Sequence, residues 1–217
     1  MSDLLKVRVG GSDYLCKWEE PNTVEIGGRE YRTVKIGNQE WLAENLDYKW
    51  TGLDIGPSGT PSAQAAWYYN NDESTYGANG NKYGLLYNWW AVNYLSNHLS
   101  ELMVPEGWHV PSKDEIQTLI SSAGGSSIAG KKLKSTTGWS SGGNGTDDYG
   151  FSLVPSSNRD SGGSFGIAGD DGSLWTSTEY NNIAAYYLRC SYYTNETQLG
   201  DIRKNTAFSI RLVRTFT

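Results

Sequence analysis

Pro105–Ile120, with the sequence PEGWHVPSKDEIQTLI, is the stretch that decides the fold of the chain. Pro111 predicts an extended segment directly before it, because a proline pushes the preceding residue out of the helical region. Ser112 then stands at a helix N-cap position with Glu115 three residues later, and this spacing is a capping box. Asp114 and Glu115 also lie at the positive end of the helix dipole. The stretch therefore predicts a helix that begins directly after Ser112.

The predicted helix has one apolar side and a defined end. Ile116, Leu119 and Ile120 recur at helical spacing and form the side expected to face the core. Gly124–Gly125 follows the last apolar residue and predicts the end of the helix, because glycine adopts the left-handed backbone without strain. A second, shorter helical segment is predicted at Ser126–Lys134. Two helices are therefore expected.

Short runs of alternating apolar and polar residues predict antiparallel strands on both sides of the helices. Glycine-containing pairs such as Gly27–Gly28 and Gly37–Asn38 separate several runs and suit two-residue hairpin turns. The predicted strands are Leu4–Val9, Tyr14–Trp18, Val24–Ile26, Tyr31–Ile36, Gln39–Leu42, Ala185–Cys190 and Ser209–Val213. Segments rich in Gly, Ser, Asn and Asp connect these elements, so an α+β protein with short antiparallel strands, two helices and extensive loops is expected.

Composition restricts the classes of function. The chain has 217 residues, a net charge of −6 and no basic run, which argues against a nucleic-acid partner. Its apolar stretches are shorter than a membrane span, so no membrane insertion is expected, and no signal peptide is visible at its start. Its two cysteines, Cys16 and Cys190, are expected to be unpaired thiols. With only two histidines beside them, a zinc site is not expected.

Seven blocks of the sequence resemble, in order, the signature of the Fibrobacter succinogenes major paralogous domain. The blocks are VKIGNQEWLAENLDY (Val34–Tyr48), YGLLYNWWAV (Tyr83–Val92), GWHVPSKDEIQTL (Gly107–Leu119), KKLKSTTGW (Lys131–Trp139), GTDDYGFSLVP (Gly145–Pro155), LWTSTEY (Leu174–Tyr180) and FSIRLVR (Phe208–Arg214). The resemblance implies a C-type lectin-like fold, related to the formylglycine-generating enzyme group. Residues 28–217 would form this C-type lectin-like domain, and residues 1–27 a small N-terminal β appendage.

The resemblance also raises an enzymatic alternative. Relatives in the formylglycine-generating group use cysteines near the end of the domain, where this chain has only Cys190. His109 and Glu179 stand inside family blocks, and both are expected to have structural roles. A non-enzymatic protein is therefore expected. The alternatives are an enzyme descended from that branch and a structural assembly module.

The C-terminal tail has the composition of an adaptable binding surface, because tyrosine supplies rigid contact area while asparagine and serine supply adaptable hydrogen bonds. In the predicted strand Ala185–Cys190, Tyr187 and Arg189 share one face, whereas Leu188 and Cys190 share the face expected to meet the core. The candidate ligand-binding residues are Tyr180, Asn181, Asn182, Tyr187, Arg189, Tyr192, Tyr193 and Asn195.

These residues predict a module that binds a cell-surface protein or glycan, either as a phage receptor-binding protein or as a surface adhesin. The tail resembles the variable regions of lectin-like proteins in which a diversity-generating retroelement rewrites codons near the end of the gene. The expected location is the phage virion or the bacterial cell exterior. If the protein is a phage receptor-binding tip, we expect it to be a homotrimer, with a monomer as the alternative.

Calcium is an optional ligand in this interpretation. It is common in relatives of the fold, and Asn144, Asp147 and Asp148 offer side-chain oxygen atoms within one glycine-rich segment. Their spacing follows no regular metal motif, so no cofactor is required. These three residues are the candidate ligands if calcium binds.

Overall fold

The computed structural model describes the backbone of residues 4–9 and 12–17, and the chain from residue 22 to 76 and from 83 to 216. Its strands are β1 (Leu4–Val9), β2 (Ser12–Lys17), β3 (Thr23–Ile26), β4 (Arg29–Ile36), β5 (Gln39–Leu42), β6 (Asp54–Ile55), β7 (Ala65–Trp67), β8 (Leu86–Asn88), β9 (Asp171–Glu179), β10 (Ala184–Ser191), β11 (Thr197–Arg203), β12 (Ala207–Phe208) and β13 (Val213–Thr215). Its helices are α1 (Glu73–Tyr76), α2 (Trp89–Asn97), α3 (Lys113–Ser122) and α4 (Ser126–Leu133). The protein is therefore a mixed α/β protein with mostly antiparallel sheets and few helices.

The helix α3 begins and ends as the sequence predicts. The Ser112 hydroxyl oxygen accepts a hydrogen bond from the Glu115 backbone N–H at 3.2 Å, and the Glu115 carboxylate accepts one from the Ser112 N–H at 2.8 Å. The three apolar residues of its predicted core side are buried. Gly124 and Gly125 both have positive φ, and α4 follows them directly. The predicted capping box, apolar side and helix end are confirmed.

The expectation of two helices is wrong, because the four-residue α1 and the nine-residue α2 precede the two predicted helices. The Asn88 side-chain oxygen caps it by accepting a hydrogen bond from the Ala91 N–H at 3.1 Å. The helix α2, WWAVNYLSN, buries Trp89, Ala91, Val92 and Leu95 and packs against β7, β8 and β9. Its polar residues come only in its last five positions, after an aromatic and apolar start, so the helical period in the sequence covers little more than one turn.

Two four-stranded sheets and one three-stranded sheet form the main body, with the strand orders β13-β5-β4-β3, β12-β8-β7-β6 and β11-β10-β9. The predicted strand Ser209–Val213 is misplaced, because β12 ends before it and β13 begins at its last residue. Its backbone carbonyls at Ser209, Ile210 and Leu212 accept hydrogen bonds from two separate segments of the chain, β9 and residues 42–46. These residues are buried and tie the segments together, so they do not form one regular ladder.

The predicted strand Leu4–Val9 is confirmed, and it pairs antiparallel with β2 in a sheet of two strands. The next strand, β3, pairs instead with β4, with Thr23 opposite Arg32. The predicted boundary between residues 27 and 28 therefore falls inside a hairpin of the main body. The Cys16 side chain lies outside the described residues.

The strand β10 is central in the three-stranded sheet that carries most of the predicted ligand-binding residues. Leu188 and Cys190 are buried in an apolar cluster with residues of α3 and α4, which confirms the predicted core face. A bulge between Ala185 and Tyr187 shifts the register of β10 against β9. Within the described residues, every helix is too short or too polar to span a lipid bilayer.

Candidate ligand-binding surface

The predicted ligand-binding residues lie mainly at opposite ends of β10. Residues 180–182 belong to the β9–β10 turn, whereas residues 192, 193 and 195 belong to the β10–β11 turn. At about 3.3 Å per residue, the eight residues of β10 separate the two turns by roughly 23 Å. A small ligand does not reach across this distance, so the two turns form separate candidate surfaces.

The β10–β11 turn borders an open pocket of about 470 Å³, which we call the turn pocket. The turn pocket is lined by Lys131, Lys134, Ser141, Gly142, Gly143, Asn144, Tyr192, Tyr193, Thr194 and Asn195. The Tyr193 side chain is 67% exposed, and its ring meets the Tyr192 ring edge-on at 5.5 Å. A smaller pocket of about 120 Å³ shares Tyr193 and Thr194 with it. Tyr193 is therefore an exposed ring that contributes to two adjoining pockets.

Lys134 holds the β10–β11 turn in place. Lys134 is only 1% exposed, and its ammonium nitrogen donates hydrogen bonds to the carbonyl oxygens of Ser191 at 2.9 Å and Thr194 at 3.0 Å. The same nitrogen lies 4.9 Å from the centre of the Trp139 ring, where a cation–π contact stabilises it. Burial lowers the pKa of the Lys134 ammonium. The buried cation is thus held by backbone oxygen atoms and one aromatic ring.

Glycines allow the elements around the turn to approach each other closely. A Cβ atom on Gly130 in α4 would lie 2.6 Å from the carbonyl oxygen of Glu196 and 2.7 Å from that of Asn195. A Cβ atom on Gly143 would lie 2.1 Å from the carbonyl oxygen of Tyr192. All three distances are shorter than real Cβ contacts, so only glycine fits at either position without movement. The turn is therefore packed against α4 on one side and the loop after α4 on the other.

The β9–β10 turn forms the second surface. The Asn181 side-chain oxygen accepts hydrogen bonds from the backbone N–H groups of Ile183 and Ala184, both at 2.9 Å, so this side chain shapes the turn. Tyr180 is 51% exposed and packs edge-on against Tyr186 at 5.3 Å. An open pocket of about 390 Å³ lies beside the turn and is lined by Trp90, Asn182, Ile183, Arg203 and Asn205. Asn181 therefore has a structural role, while the exposed Tyr180 ring is available for contact.

Tyr187 and Arg189 lie on one face of β10 but have different surroundings. The Tyr187 ring stacks on Phe208 at 4.8 Å and meets the Trp175 ring edge-on at 6.3 Å, so it packs against the core. Arg189 forms an ion pair with Asp171 at 2.9 Å and lines the smaller pocket beside Tyr193. Arg189 is therefore placed at the β10–β11 end, and Tyr187 mainly contributes to packing.

The candidate calcium ligands have separate hydrogen-bonding roles. The Asn144 side-chain oxygen accepts a hydrogen bond from the Trp139 N–H at 3.1 Å. The Asp147 carboxylate accepts hydrogen bonds from the Ser152 N–H, at 2.6 Å, and from the Ser152 hydroxyl. Asp148 is exposed. In residues 22–76 and 83–216, no three His, Cys, Asp or Glu side chains are grouped so that they could hold a metal ion. Calcium binding stays a prediction.

The residues of the enzymatic alternative have separate surroundings. Cys190 is fully buried, and burial raises the pKa of its thiol to about 12, so the reactive thiolate is disfavoured at neutral pH. The His109 ring nitrogen Nε2 lies 2.6 Å from a Glu115 carboxylate oxygen beside the cap of α3. Glu179 forms an ion pair with Lys204. None of the three pockets described above is lined by Cys190, His109 or Glu179.

Two lysines of the turn pocket were missed by reasoning from the sequence. Lys131 and Lys134 belong to the block KKLKSTTGW, which by itself predicts only a short helix followed by a turn. Their relation to the ligand-binding candidates depends on contacts with Ser191, Thr194 and Asn195, which are about sixty residues away in the chain. The one local signal for this role was Lys134 at the end of the predicted helix, with Trp139 five residues later.

The sequence blocks named above mainly hold the fold together. Arg211 is fully buried, and its guanidinium donates hydrogen bonds to the Asn45 side chain at 2.9 Å and to the carbonyl oxygens of Ser152 at 2.9 Å and Phe151. It also lies 4.4 Å from the centre of the Phe151 ring. One side chain thus joins three of the blocks, so the blocks identify a scaffold more directly than a binding activity.

The fold and the surface together define a class: a mixed α/β domain whose packed scaffold presents polar, tyrosine-bearing turns. The family model described as Fibrobacter succinogenes major domain matches residues 34–214, so the chain belongs to that family. Neither a curated protein nor a solved structure matches the chain. The family expected from the sequence blocks is confirmed.

Proposed function

We propose that the protein is a non-enzymatic ligand-binding module that uses the β10–β11 turn to bind a cell-surface protein or glycan. The exposed Tyr193 ring between two adjoining pockets is the observation that carries this proposal. Tyrosine loses little conformational entropy on binding, and a turn fixed by its neighbours is ordered before the ligand arrives. Asn195 and Thr194 add polar atoms beside the ring.

A C-type lectin-like fold is part of the proposal. Short antiparallel strands, few helices and long irregular segments between α4 and β9 support it. In such an arrangement, the scaffold fixes the positions of the loops while the loops provide the contacts. Calcium is not required for binding through Tyr193, and Asn144, Asp147 and Asp148 remain its proposed ligands if it contributes.

On this proposal the protein acts on a phage virion or at the bacterial cell exterior, as a receptor-binding or adhesion module, and a homotrimer is the proposed assembly. Tyr192, Tyr193 and Asn195 are of the types that retroelement diversification produces, which supports a variable binding surface. The nucleotide sequence around the end of the gene tests this part. An imperfect repeat that differs at template adenines supports diversification, and the lack of any repeat removes that part of the proposal.

Burial of Cys190 supports the non-enzymatic interpretation over an enzyme of the formylglycine-generating type. A thiol with no solvent access and a pKa of about 12 is a poor nucleophile or metal ligand at neutral pH. Replacing Cys190 with Ser tests this point. We expect unchanged ligand binding and a modest loss of stability. If the wild type converted a bound ligand and Cys190→Ser no longer did so, the enzymatic alternative would be favoured.

Two tyrosine variants test the proposed site. We expect Tyr193→Ala to weaken binding to bacterial cells and to their extracted surface glycans and proteins by about tenfold, as for an interface anchor. Tyr180→Ala is the matched control, because Tyr180 is also exposed but lies at the other end of β10. It should change affinity less than about twofold. Equal losses in both variants, or full affinity in Tyr193→Ala, would remove the β10–β11 turn from consideration.

A further inference from the structure

We propose that the turn pocket recognises a carboxylated saccharide, such as a uronic or sialic acid residue, and that Lys131 and Asn144 read its carboxylate. This inference rests on the proposed function and names its ligand class. The pocket combines positive charge, outward hydrogen-bond donors and one exposed aromatic ring in a space of about 470 Å³. A single sugar residue with its neighbours on either side fits an open pocket of this kind.

Charge is the first observation behind the inference. The protein as a whole carries 24 acidic and 18 basic residues, yet the described residues that line the turn pocket include two lysines and no acid. A site lined by one sign of charge raises the local concentration of ligands of the other sign. The pocket is therefore suited to an anionic ligand, although the protein as a whole is negatively charged.

The Lys134 ammonium adds a buried charge whose contacts are neutral. Its hydrogen bonds go to the carbonyl oxygens of Ser191 and Thr194 rather than to a carboxylate. Burial lowers the pKa of the Lys134 ammonium, and repulsion by the like charge of Lys131 lowers it further. A bound carboxylate would relieve this repulsion, because it attracts both charges at once. Lys134 is thus a positioning residue that also contributes to the field of the pocket.

Asn144 supplies hydrogen-bond donors in the lining of the pocket. Its side-chain oxygen is held by the Trp139 N–H, which donates to it at 3.1 Å. That contact leaves the amide nitrogen, a donor of two hydrogen bonds, without a hydrogen-bond partner among the described residues. A carboxylate accepts from such donors and from the Lys131 ammonium, which makes no ion pair in the described part of the chain.

The remaining surface favours a sugar ring over an acidic peptide. Gly142 and Gly143 expose backbone without side chains, which leaves a smooth wall rather than separate side-chain pockets. The Tyr193 ring offers a flat apolar face that can cover the C–H face of a pyranose. Ser141, Thr194 and Asn195 supply donors and acceptors for hydroxyl groups. We therefore infer a carboxylated saccharide, and acidic peptides serve as a comparison in the test.

The test uses the full chain and a panel of oligogalacturonate, oligomannuronate and oligosialate, each paired with its methyl ester. The ester keeps the sugar and removes the charge. We expect at least one acid to bind, and to bind about tenfold more tightly than its ester, with an affinity that falls as salt rises. Oligoglutamate and sulfated oligosaccharides on the same surface should bind more weakly than the best carboxylated sugar.

Three variants locate the effect. Lys131→Glu should lower affinity for the acid about tenfold or more, with little change for the ester. Lys132→Glu is the matched control, because it makes the same change of charge one residue further along α4 but does not line the pocket. Asn144→Asp keeps an oxygen that accepts from the Trp139 N–H, yet it places negative charge in the pocket, so it should also weaken binding of the acid. Thermal unfolding of each variant checks that it is folded.

The outcomes separate this inference from the proposed function. Equal binding of acid and ester, or equal effects of Lys131→Glu and Lys132→Glu, would overturn the carboxylate assignment. The carboxylate assignment would also be overturned if the ligand whose binding depends on Tyr193 were a protein or a neutral glycan. In that case the proposed function would stand. If Tyr193→Ala left the binding of every ligand intact, the proposed function and the inference would both fail.

Discussion

The side-chain nitrogen of Lys134 lies 2.9 Å from the backbone carbonyl oxygen of Ser191, the last residue of β10. The same nitrogen also donates to the Thr194 carbonyl, so a single buried cation fixes the start and the middle of the β10–β11 turn. Because the exposed Tyr193 stands between these two carbonyls in the chain, its orientation depends on Lys134. The scaffold and the candidate binding residue are connected by this contact.

Replacing Lys134 with Met should loosen the turn. Methionine fills much of the same volume but removes this donor from the buried carbonyl oxygen of Ser191 and the partly buried one of Thr194, and we expect a loss of about 2 kcal/mol in the free energy of unfolding. Ligand affinity should fall as well, because the turn is no longer held before binding. Urea denaturation and amide hydrogen exchange at residues 192–196 measure the two effects. Lys132→Met is the control, and similar losses in both variants would contradict the proposed role.

Replacing Gly130 with Ala should destabilise the protein, although the same change usually stabilises a helix by about 1 kcal/mol. The new methyl group would meet the carbonyl oxygens of Glu196 and Asn195, so either α4 or the turn has to move. We expect a loss of about 1–3 kcal/mol, as for other overpacked sites. The control is Ser127→Ala, an exposed position on the same helix. A gain in melting temperature for Gly130→Ala would show that the close approach is not essential.

Replacing Arg211 with Lys should be severely destabilising, by about 3–5 kcal/mol. A lysine ammonium cannot reproduce the planar set of hydrogen bonds to Asn45, Phe151 and Ser152. Arg203→Lys is the control, because Arg203 is exposed. Chemical denaturation of both variants measures the difference. A small effect at Arg211 would mean that the three family blocks are held together mainly by apolar packing.

The contact between His109 and Glu115 predicts a pH dependence of stability. The hydrogen bond to Glu115 raises the pKa of His109 above its ordinary value of 6.5, against the opposing effect of burial. Burial by itself would raise the pKa of Glu115, but hydrogen bonds from His109 and Ser112 outweigh it and lower that pKa from 4.5 to about 2. Both groups are therefore charged in the folded protein over the same interval of pH.

The signs of the two shifts define that interval. The Glu115 contribution is present above pH 4.5 and is lost as pH falls from there towards about 2. The His109 contribution is present below pH 6.5 and is lost as pH rises through the raised pKa of the folded state. The stabilisation is therefore greatest between about pH 4.5 and 6.5. Melting temperatures of the wild type and His109→Gln across pH 3–9 test this, since their difference should be largest in that interval. A difference that does not vary with pH would contradict it.

The start of helix α3 could be predicted from the sequence to the residue and its end to within two residues, because both depend on contacts within a few residues. The capping box of Ser112 and Glu115 is local, and so is the glycine pair at the end of the helix. The helix α2 could not be predicted in this way. Its first four residues are aromatic or apolar, and its polar residues come only in the last five positions, so the period that identifies a helix is too short.

The candidate site was predicted only in part for a similar reason. Tyr and Asn in the tail mark exposed turns, but their sequence proximity conceals the length of β10, which places residues 180–182 and residues 192–195 at opposite ends. Tyr187 packs against Phe208 of β12 and Trp175 of β9, which come from other parts of the chain. Lys131 and Lys134 join the site only through tertiary contacts with the turn. Alternation along a strand predicts which residues share a face, but it does not predict which other elements cover that face.

An NMR titration of the ¹⁵N-labelled protein with the saccharide panel and with extracted bacterial surface glycans tests ligand binding at the β10–β11 turn most directly. We expect the amide signals of Gly142, Gly143, Thr194 and Asn195 to shift with the ligand, while those of Asn182 and Ile183 at the other end of β10 stay in place. Shifts confined to the β9–β10 turn, with unchanged signals around Tyr193, would contradict this expectation.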